Sequence, residues 1–256
     1  MSKHLPQGWL GKTGVIVLVA AVALTLAYAI WALMVGQRVN SLPAITTREE
    51  LAAALSGEPT AYRLLDIPMD GEPVKDPLGL LEGDYVYVYW QKQTVERKIR
   101  RDGTREKNPT YSWKTSGHEE ALAPLKLFGE IPLEGNYQAE TQGVLALRPD
   151  MFTSRAASRV EEGDMAYYPG TRNQVTGAER YRLRAAVRGE KAVLMATVGN
   201  GRAIAHNPTG DIPMVIFGGD NGSLSTNAAG RYVLLLIAVW VVAGIVVLVR
   251  ALRRKI

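Results

Sequence analysis

The chain has 256 residues, a formal net charge of +5 and no cysteine. The lack of cysteine excludes disulfides, a cysteine nucleophile and every cysteine-ligated zinc or iron-sulfur site. The positive charge does not predict a nucleic-acid partner, because residues 37–231 hold all 25 carboxylates and 24 of the 30 cations. The excess cations therefore lie in the two tails, and the central region is about neutral.

The first apolar segment, from Gly14 to Gly36, carries no charge. A helix of this length spans the roughly 30 Å hydrocarbon core of a bilayer at about 1.5 Å per residue, so the segment predicts a transmembrane helix. A cleaved signal peptide is the alternative, because Lys3 and Lys12 precede the segment and Ala27-Tyr28-Ala29 fits a cleavage site. The apolar stretch continues well past that site, which favours the transmembrane helix.

A second uncharged run, from Tyr232 to Val249, predicts a shorter second span. Because short cytoplasmic flanks are enriched in Lys and Arg, cations beyond both spans predict that both termini are cytoplasmic. These cations are Lys3, Lys12, Arg250, Arg253, Arg254 and Lys255. The central domain is then predicted to be periplasmic, in a multi-pass protein of the inner (cytoplasmic) membrane.

The predicted fold class is a membrane protein with two transmembrane helices flanking a mainly β (α+β) extracytoplasmic domain. The predicted divisions are tails at 1–13 and 250–256, spans at 14–36 and 232–249, a linker with a juxtamembrane helix at 37–57, and the β domain at 58–228. The juxtamembrane helix follows from the capping box Thr47-Arg48-Glu49-Glu50 ahead of an apolar run.

Alternation of apolar and polar residues predicts eight strands in the central domain. They are Ala61–Ile67, Tyr85–Ile99, Pro109–Lys114, Gln142–Leu147, Met165–Tyr168, Arg180–Val187, Ala192–Val198 and Pro213–Phe217. A short helix is predicted over Gly117–Leu127. Pro149 fits the first position of another helix.

A β-hairpin is the clearest predicted element. Its strands contain Tyr85–Trp90 and Tyr111–Trp113, and Asp102-Gly103 supplies the positive φ of a tight turn. Six cations surround the turn: Arg97, Lys98, Arg100, Arg101, Arg105 and Lys107. They form either a solvated hairpin end that resists edge pairing or a docking surface for anionic lipid or a protein partner.

The first strand of this hairpin is apolar on both sides. Tyr85, Tyr87 and Tyr89 are predicted to point to one side of the sheet, and Val86, Val88 and Trp90 to the other. A strand with two apolar sides is typical of a central, buried position.

The sequence carries no recognised motif for catalysis or cofactor binding. The three histidines, His4, His118 and His206, are scattered, and neither His-Glu-x-x-His nor Gly-x-Ser-x-Gly occurs. His118-Glu119-Glu120 would have diverging side chains on a helix or a strand. We therefore predict no catalytic residue, no cofactor and no metal site.

Small residues mark the predicted helix-packing positions in the two spans. Ala23 and Ala27 are four residues apart in the first span, and Ala243 and Gly244 offer a point of close approach in the second. Helix association in lipid depends on close packing at small residues. We expect these residues to pack the spans on each other or on helices of a partner.

The hairpin resembles that of the transmembrane protein 43 family, whose members have a Tyr and Trp strand, a polar hairpin and a Tyr-rich return strand ending near Trp. The likeness covers residues 60–200 and the preceding helix. It continues through Gly117-His118, Gly143–Leu147, Met151-Phe152, Gly177–Leu183 and Ala192–Gly201. The chain departs from the family at Glu119-Glu120, where the family has Asn-Pro, and in its one predicted span after the domain, where the family usually has three.

A fainter resemblance concerns Arg180–Phe217, which is similar to the membrane-adjacent β domain of the mitochondrial RING-type ubiquitin ligases. A RING requires Cys and His ligands for zinc. In a chain without cysteine, the resemblance therefore implies only a shared sensing or scaffolding part.

Two functions stay open on the sequence alone. The resemblance to the transmembrane protein 43 family implies a non-catalytic membrane scaffold or sensor that organises a membrane protein complex. Its contacts would be the lipid bilayer and a membrane protein partner or a second copy of the chain. The alternative is a periplasmic enzyme that acts on lipid or cell-envelope substrates through a site that no motif marks.

Overall fold

The structure, a computed structural model, describes residues 12–97, 111–142, 151–161, 166–170, 176–230 and 236–245. The chain divides into two compact units. A helical unit comprises the chain up to Leu42, the segment Pro208–Asp211 and the chain from Gly222 onward. A β unit comprises Pro43–Asn207 and Ile212–Asn221.

The described helices are α1 (Lys12–Ser41), α2 (Arg48–Leu55), α3 (Ser154–Ala157), α4 (Asn221–Gly230) and α5 (Leu236–Ile245). The described strands are β1 (Ala44–Ile45), β2 (Thr60–Asp70), β3 (Tyr85–Arg97), β4 (Tyr111–Leu122), β5 (Lys126–Leu127), β6 (Ile131–Glu134), β7 (Gln138–Thr141), β8 (Val160–Glu161), β9 (Ala166–Tyr167), β10 (Glu179–Val187), β11 (Lys191–Gly199), β12 (Arg202–Ala205) and β13 (Met214–Phe217). The molecule is mainly β with one N-terminal helix that is long and apolar enough to cross a membrane.

That helix, α1, confirms the apolar helix predicted over 14–36 and continues to Ser41. Its large apolar side chains are exposed along its length, with Ile16 at 64% and Leu33 at 67%. A signal sequence near the N-terminus can have the same length and apolar composition. The second predicted span is described only at α5, because residues 231–235 and 246–256 lie outside the described part of the chain.

The capping box predicted for α2 is confirmed. The Thr47 side chain accepts a hydrogen bond from the Glu50 backbone N–H at 3.2 Å, and the Glu50 carboxylate accepts one from the Thr47 N–H at 3.2 Å. A further bond from the Thr46 N–H lowers the pKa of Glu50 below its ordinary value. The box fixes the N-terminus of a helix whose Leu51 is fully buried in the core of the β unit.

An eight-stranded sheet forms most of the β unit, in the order β1-β2-β5-β6-β12-β11-β13-β7. β2 also pairs with β11, so β2, β5, β6, β12 and β11 form a closed circuit of pairings. The core inside it is built from fully buried aliphatic residues, among them Leu64 and Ile67 of β2 and Leu194 of β11. Closure removes edges that would otherwise pair with other chains.

The second sheet has five strands in the order β4-β3-β10-β9-β8. The predicted pairing of the hairpin strands is confirmed, because β3 and β4 pair antiparallel from Tyr87 opposite Leu122 to Arg97 opposite Tyr111. The predicted turn at Asp102-Gly103 lies outside the described residues. The predicted central position of β3 is also confirmed, since β3 lies between β4 and β10 and both its sides are buried near Val86 and Val88.

The predicted facing of Tyr85 and of Val86 is wrong. Val86 packs with Tyr87 and Tyr89 against the core of the eight-stranded sheet, whereas Tyr85 packs on the opposite side, with Val88 and Trp90. The register between β3 and β10 shifts here, because Ala186 pairs with Tyr87 but its neighbour pairs with Tyr85. The resulting β-bulge adds one residue to β3 and reverses the alternation of its side chains.

Seven of the eight predicted strands are confirmed, and the eighth, Gln142–Leu147, lies outside the described residues beyond Gln142. The helix predicted over Gly117–Leu127 is wrong, because β4 continues to Leu122 in register with β3. Cross-strand pairing overrides the helical preference of Glu119 and Glu120. Pro149 lies outside the described residues.

A carboxylate holds the loop before β3 against the second sheet. Asp76 accepts hydrogen bonds from the backbone N–H groups of Leu78, Leu80 and Leu81 and from Trp90 Nε1, the last at 2.6 Å. Trp90 is 1% exposed and has its indole N–H satisfied there. The loop can therefore cover the side of the second sheet that carries Trp90 without leaving these N–H donors unpaired.

The turn between β11 and β12 caps the C-terminus of α2. The backbone N–H of Asn200 donates to the Gly57 carbonyl at 3.0 Å, and that of Gly201 to the Leu55 carbonyl at 2.8 Å. This contact brings Gly199, at φ 155°, so close to the chain that an added Cβ would lie 2.5 Å from the Pro59 nitrogen. Only glycine fits there.

We expect Gly199→Ala to lower the free energy of unfolding of the β unit by about 2 to 4 kcal/mol, because the methyl group meets backbone atoms. Gly201→Ala is the matched control, since its φ is 74° but an added Cβ meets nothing within 4 Å. It should cost about 1 kcal/mol. Urea titration of both variants measures the difference, and equal losses would show that the close approach is absent.

Candidate functional site

The helical unit buries one stripe of α1. The buried and half-buried positions include Ala21, Thr25, Tyr28, Ala32, Val35 and Val39. Their spacing alternates between four and three residues, which is typical of the seam of two helices packed about 20° from antiparallel. The seam faces other helices of the same unit, while the rest of the helix surface is exposed.

Two contacts show which helices cover the seam. An added Cβ at Gly36 would lie 3.9 Å from the Ser225 Cβ, and Trp240 Nε1 donates to Thr25 Oγ1 at 2.9 Å. As the chain proceeds from α4 to α5, the contact moves toward the N-terminus of α1. The helices therefore run antiparallel. Leu224 and Ala228 of α4 and Ala243 of α5 are at most 3% exposed.

The hydroxyl of Thr25 makes two bonds at this point. It donates to the Ala21 carbonyl at 2.8 Å and accepts from Trp240. Thr25 and Trp240 lie at the centres of the two apolar segments predicted as spans. If both segments cross a bilayer, this hydrogen bond lies at mid-depth, where lipid offers the indole N–H and the hydroxyl no other partner.

Most of the small residues predicted to bring the helices together lie outside the buried seam. Ala23 and Ala27 are on the exposed side of α1, and an added Cβ at Gly244 would meet nothing within 4 Å. Of the four, Ala243 alone is buried, at 3% exposure. Contact of Ala23, Ala27 or Gly244 with a partner helix stays a prediction.

The β unit presents an open face on its second sheet. Three rows of side chains cross it, set by the register of β4, β3 and β10: Thr115, Gln93 and Arg180; His118, Gln91 and Arg182; Glu120, Tyr89 and Arg184. We call this surface the arginine face. His118, Glu120, Arg182 and Arg184 are exposed on it, and Tyr89 and Gln91 are half-buried.

Packing closes both ends of the arginine face. At one end Tyr87 stacks on Phe217 of β13, with ring centroids 6.1 Å apart. Burial raises the pKa of Tyr87, and the negative charge of the nearby Glu120 raises it further. At the other end the Arg180 guanidinium lies 4.5 Å from the centroid of the Trp113 ring and donates to Gln93 Oε1 at 2.7 Å. The exposed part lies between these fixed ends.

The two faces of these strands differ in charge. The three rows of the arginine face hold three arginines and one carboxylate, Glu120. Glu140 of β7 also lies near this face, since it contributes with Glu120 to the raised pKa of Tyr87. On the opposite face each lysine meets a carboxylate: Lys92 Nζ lies 2.8 Å from Glu179 Oε1, and Lys114 pairs with Glu96.

His118 lies on this face, opposite Gln91. Its ring stacks on Tyr89 with centroids 6.0 Å apart. Within the described residues, no group of three or more His, Asp or Glu side chains is arranged to hold a metal ion. The predicted absence of a metal stays a prediction.

The predicted hairpin-tip cations lie next to this face in sequence. Arg97 is the last residue of β3, opposite Tyr111. Lys98, Arg100, Arg101, Arg105 and Lys107 lie outside the described residues. Docking at the tip stays a prediction. Sequence analysis missed the arginine face, although the alternation of Arg180, Arg182 and Arg184 in a predicted strand was a visible signal.

Two open cavities occur in the described part of the β unit. One of about 460 Å³ lies between α2 and β2, lined by Glu50, Glu58 and Tyr62 among others. One of about 150 Å³ is lined by Lys126 and by the Arg188–Asp70 ion pair. The hydrogen bond from Arg188 lowers the pKa of Asp70. The Glu50 carboxylate of the first cavity and the Asp70 carboxylate of the second are used in structural bonds.

Comparison of the chain with protein-family models, with curated proteins and with solved structures gives no match. The class that the fold defines is a mainly β protein with an N-terminal apolar helix. The arginine face and the helix seam are its candidate contact surfaces.

We expect Thr25 and Trp240 to be energetically coupled. Thr25→Val and Trp240→Phe each remove one partner, and the coupling free energy of the double-mutant cycle should be about 0.6 to 1.7 kcal/mol. Unfolding in mixed micelles of dodecyl maltoside and SDS measures the four variants. Effects that simply add would show that the two side chains do not meet.

Proposed function

We propose that the chain is a membrane-anchored, non-catalytic scaffold or sensor with two transmembrane helices, α1 and the span that contains α5. The observation that carries this proposal is the distribution of exposed apolar side chains. Among the described residues, every exposed large apolar side chain except Ile204 and Ile212 lies on α1 or α5. Water disfavours so extended an apolar surface, whereas the bilayer core accommodates it.

The antiparallel contact between α1 and α5 supports two spans. Two antiparallel helices that cross one bilayer return the chain to the side from which it came. The cations beyond the predicted spans, among them Lys3 and Arg250, assign that side to the cytoplasm. In this topology the β domain is periplasmic and the membrane is the inner membrane.

A scaffold role is supported by the β unit. Its second sheet is fixed on one side by the loop that Asp76 organises and is open on the other at the arginine face. Protein interfaces are enriched in arginine and tyrosine, and this face has two exposed arginines beside the half-buried Tyr89. The resemblance to the transmembrane protein 43 family, proposed here as a relationship, implies the same role of organising a membrane complex.

We expect reporter fusions to give the topology directly. Alkaline phosphatase fused after Gln142 should be active in a Gram-negative host, because the β domain is exported, and the same enzyme fused after Ile256 should be inactive. Green fluorescent protein at Ile256 is the complementary control and should fluoresce. Phosphatase activity at Ile256 with none at Gln142 would reverse the orientation.

Activity at both positions would instead indicate a cleaved leader or a single span. N-terminal sequencing of the mature protein separates these two cases, because cleavage after Ala29 would remove Met1 and most of α1.

A further inference from the structure

We propose that two copies of the chain pair edge to edge through their β4 strands, antiparallel and around a twofold axis. The inference rests on the proposed scaffold function, since it names a second copy as the partner. In the described part of the chain, β4 is the last strand of its sheet and pairs only with β3. Such an edge presents alternate backbone N–H and C=O groups with which another strand can pair.

The edge is long and open. β4 has 12 residues, from Tyr111 to Leu122, which is about twice the usual strand length. Two stretches of it are exposed, residues 114–116 and 118–120. Edge strands in native proteins are usually short or covered, so a long exposed edge favours a partner strand.

A β-bulge in β4 restricts how the strand can pair with itself. Gly117 and Thr115 pair with adjacent residues of β3, which leaves Ser116 as the extra residue. A regular strand that pairs antiparallel with its own copy matches residues an even number of positions apart, because side chains opposite each other share one face. The bulge shifts the alternation by one, so residues on its two sides match at odd separations.

One register pairs the full length of both strands, with Tyr111 of each copy opposite Leu122 of the other. Every pair in this register has an odd separation, as the bulge requires. Thr115 then lies opposite His118, and both of these residues are on the arginine face. The bulge therefore makes the longest overlap of the two strands consistent with the facing of their side chains.

The same register is complementary in charge. It sets Lys114 of each copy opposite Glu119 of the other, on the face away from the arginines. Lys114 also pairs with Glu96 across the hairpin, and these two side chains remain 62% and 53% exposed. An ammonium group has three donor hydrogens, so Lys114 can bond a second carboxylate without releasing the first. The other charged residue of the strand, Glu120, lies opposite Trp113, so no like charges meet.

Other registers lack this match. A shift of two residues in one direction sets Lys114 opposite Gly117, and a shift in the other direction sets it opposite Ala121. Both shifts also shorten the overlap of the strands. Strand length, side-chain facing and charge therefore select one register.

The test uses the full chain in an uncharged detergent, with the dissociation constant of the dimer measured by sedimentation equilibrium. We expect E119K to weaken the dimer about tenfold, because Lys114 of each copy would then face a lysine. K114E/E119K exchanges the two charges and should return the dissociation constant to within about threefold of the original. E72K, which makes the same change of charge at an exposed position before β3, should alter it less than about threefold.

Cysteines test the register, because the chain has none of its own. Oxidation of T115C/H118C should give a covalent dimer, since the two positions lie opposite each other across the axis. Within one copy they are roughly 10 Å apart along the strand, which is too far for a disulfide. T115C and H118C alone should give little covalent dimer, because each cysteine then lies roughly 10 Å from its symmetry mate.

A chain that stays monomeric at every concentration would overturn the proposal. A dimer that E119K leaves unchanged would also overturn it, since another surface would then hold the copies together. Weakening by E119K without recovery in K114E/E119K would contradict the register, as would equal cross-linking by a single-cysteine variant. Circular dichroism of each variant checks that the sheet is intact.

Failure here and failure of the scaffold are distinguishable. The measurements in detergent need no membrane orientation, so a monomeric chain would leave the result of the reporter fusions intact. Reporter fusions that contradict the topology would leave the dissociation constant of the dimer unchanged.

Discussion

The apolar surface of α1 is the constraint on which the rest of the account depends. A helix with Leu33 two-thirds exposed and no charge from Gly14 to Gly36 is costly in water, where apolar area should be buried. In the proposed topology the bilayer would remove that cost but would give two helices no hydrophobic reason to associate. Association would then depend on close packing, as at Gly36, and on polar contacts such as the hydrogen bond between Thr25 and Trp240.

The β unit meets the opposite constraint, because it must bury apolar residues and leave a usable surface. Closure of the pairings through β2 and β11 provides the buried core. The second sheet uses one side for packing and one for polar side chains, and the bulge near Val86 moves Tyr85 from one side to the other. The arginine face can therefore lie on rigid strands, which position side chains more firmly than a loop does.

Period-two patterns predicted most of the long strands, because alternate residues of a half-buried strand face the core and are apolar. Several of the two-residue and four-residue strands, such as β5 and β12, were not predicted, since so short a run carries no period. The facing of Tyr85 depended on a bulge that only the pairing with β10 reveals. The helix seam was missed for a related reason: Ala23 and Ala27 satisfy a small-residue pattern, but Ala21 is the buried alanine and Thr25 makes the hydrogen bond to Trp240.

The antiparallel packing of α1 on α4 and α5 is tested most directly by a disulfide in the otherwise cysteine-free chain. Cβ atoms at Gly36 and Ser225 would lie 3.9 Å apart, within the range of about 3.5 to 4.5 Å that a disulfide needs. Oxidation of G36C/S225C in native membranes should give an intramolecular bridge, seen as a mobility shift reversed by reductant. M34C/S225C, in which Met34 is 55% exposed on α1, should not bridge. Equal bridging by both pairs, or none by G36C/S225C, would contradict the account.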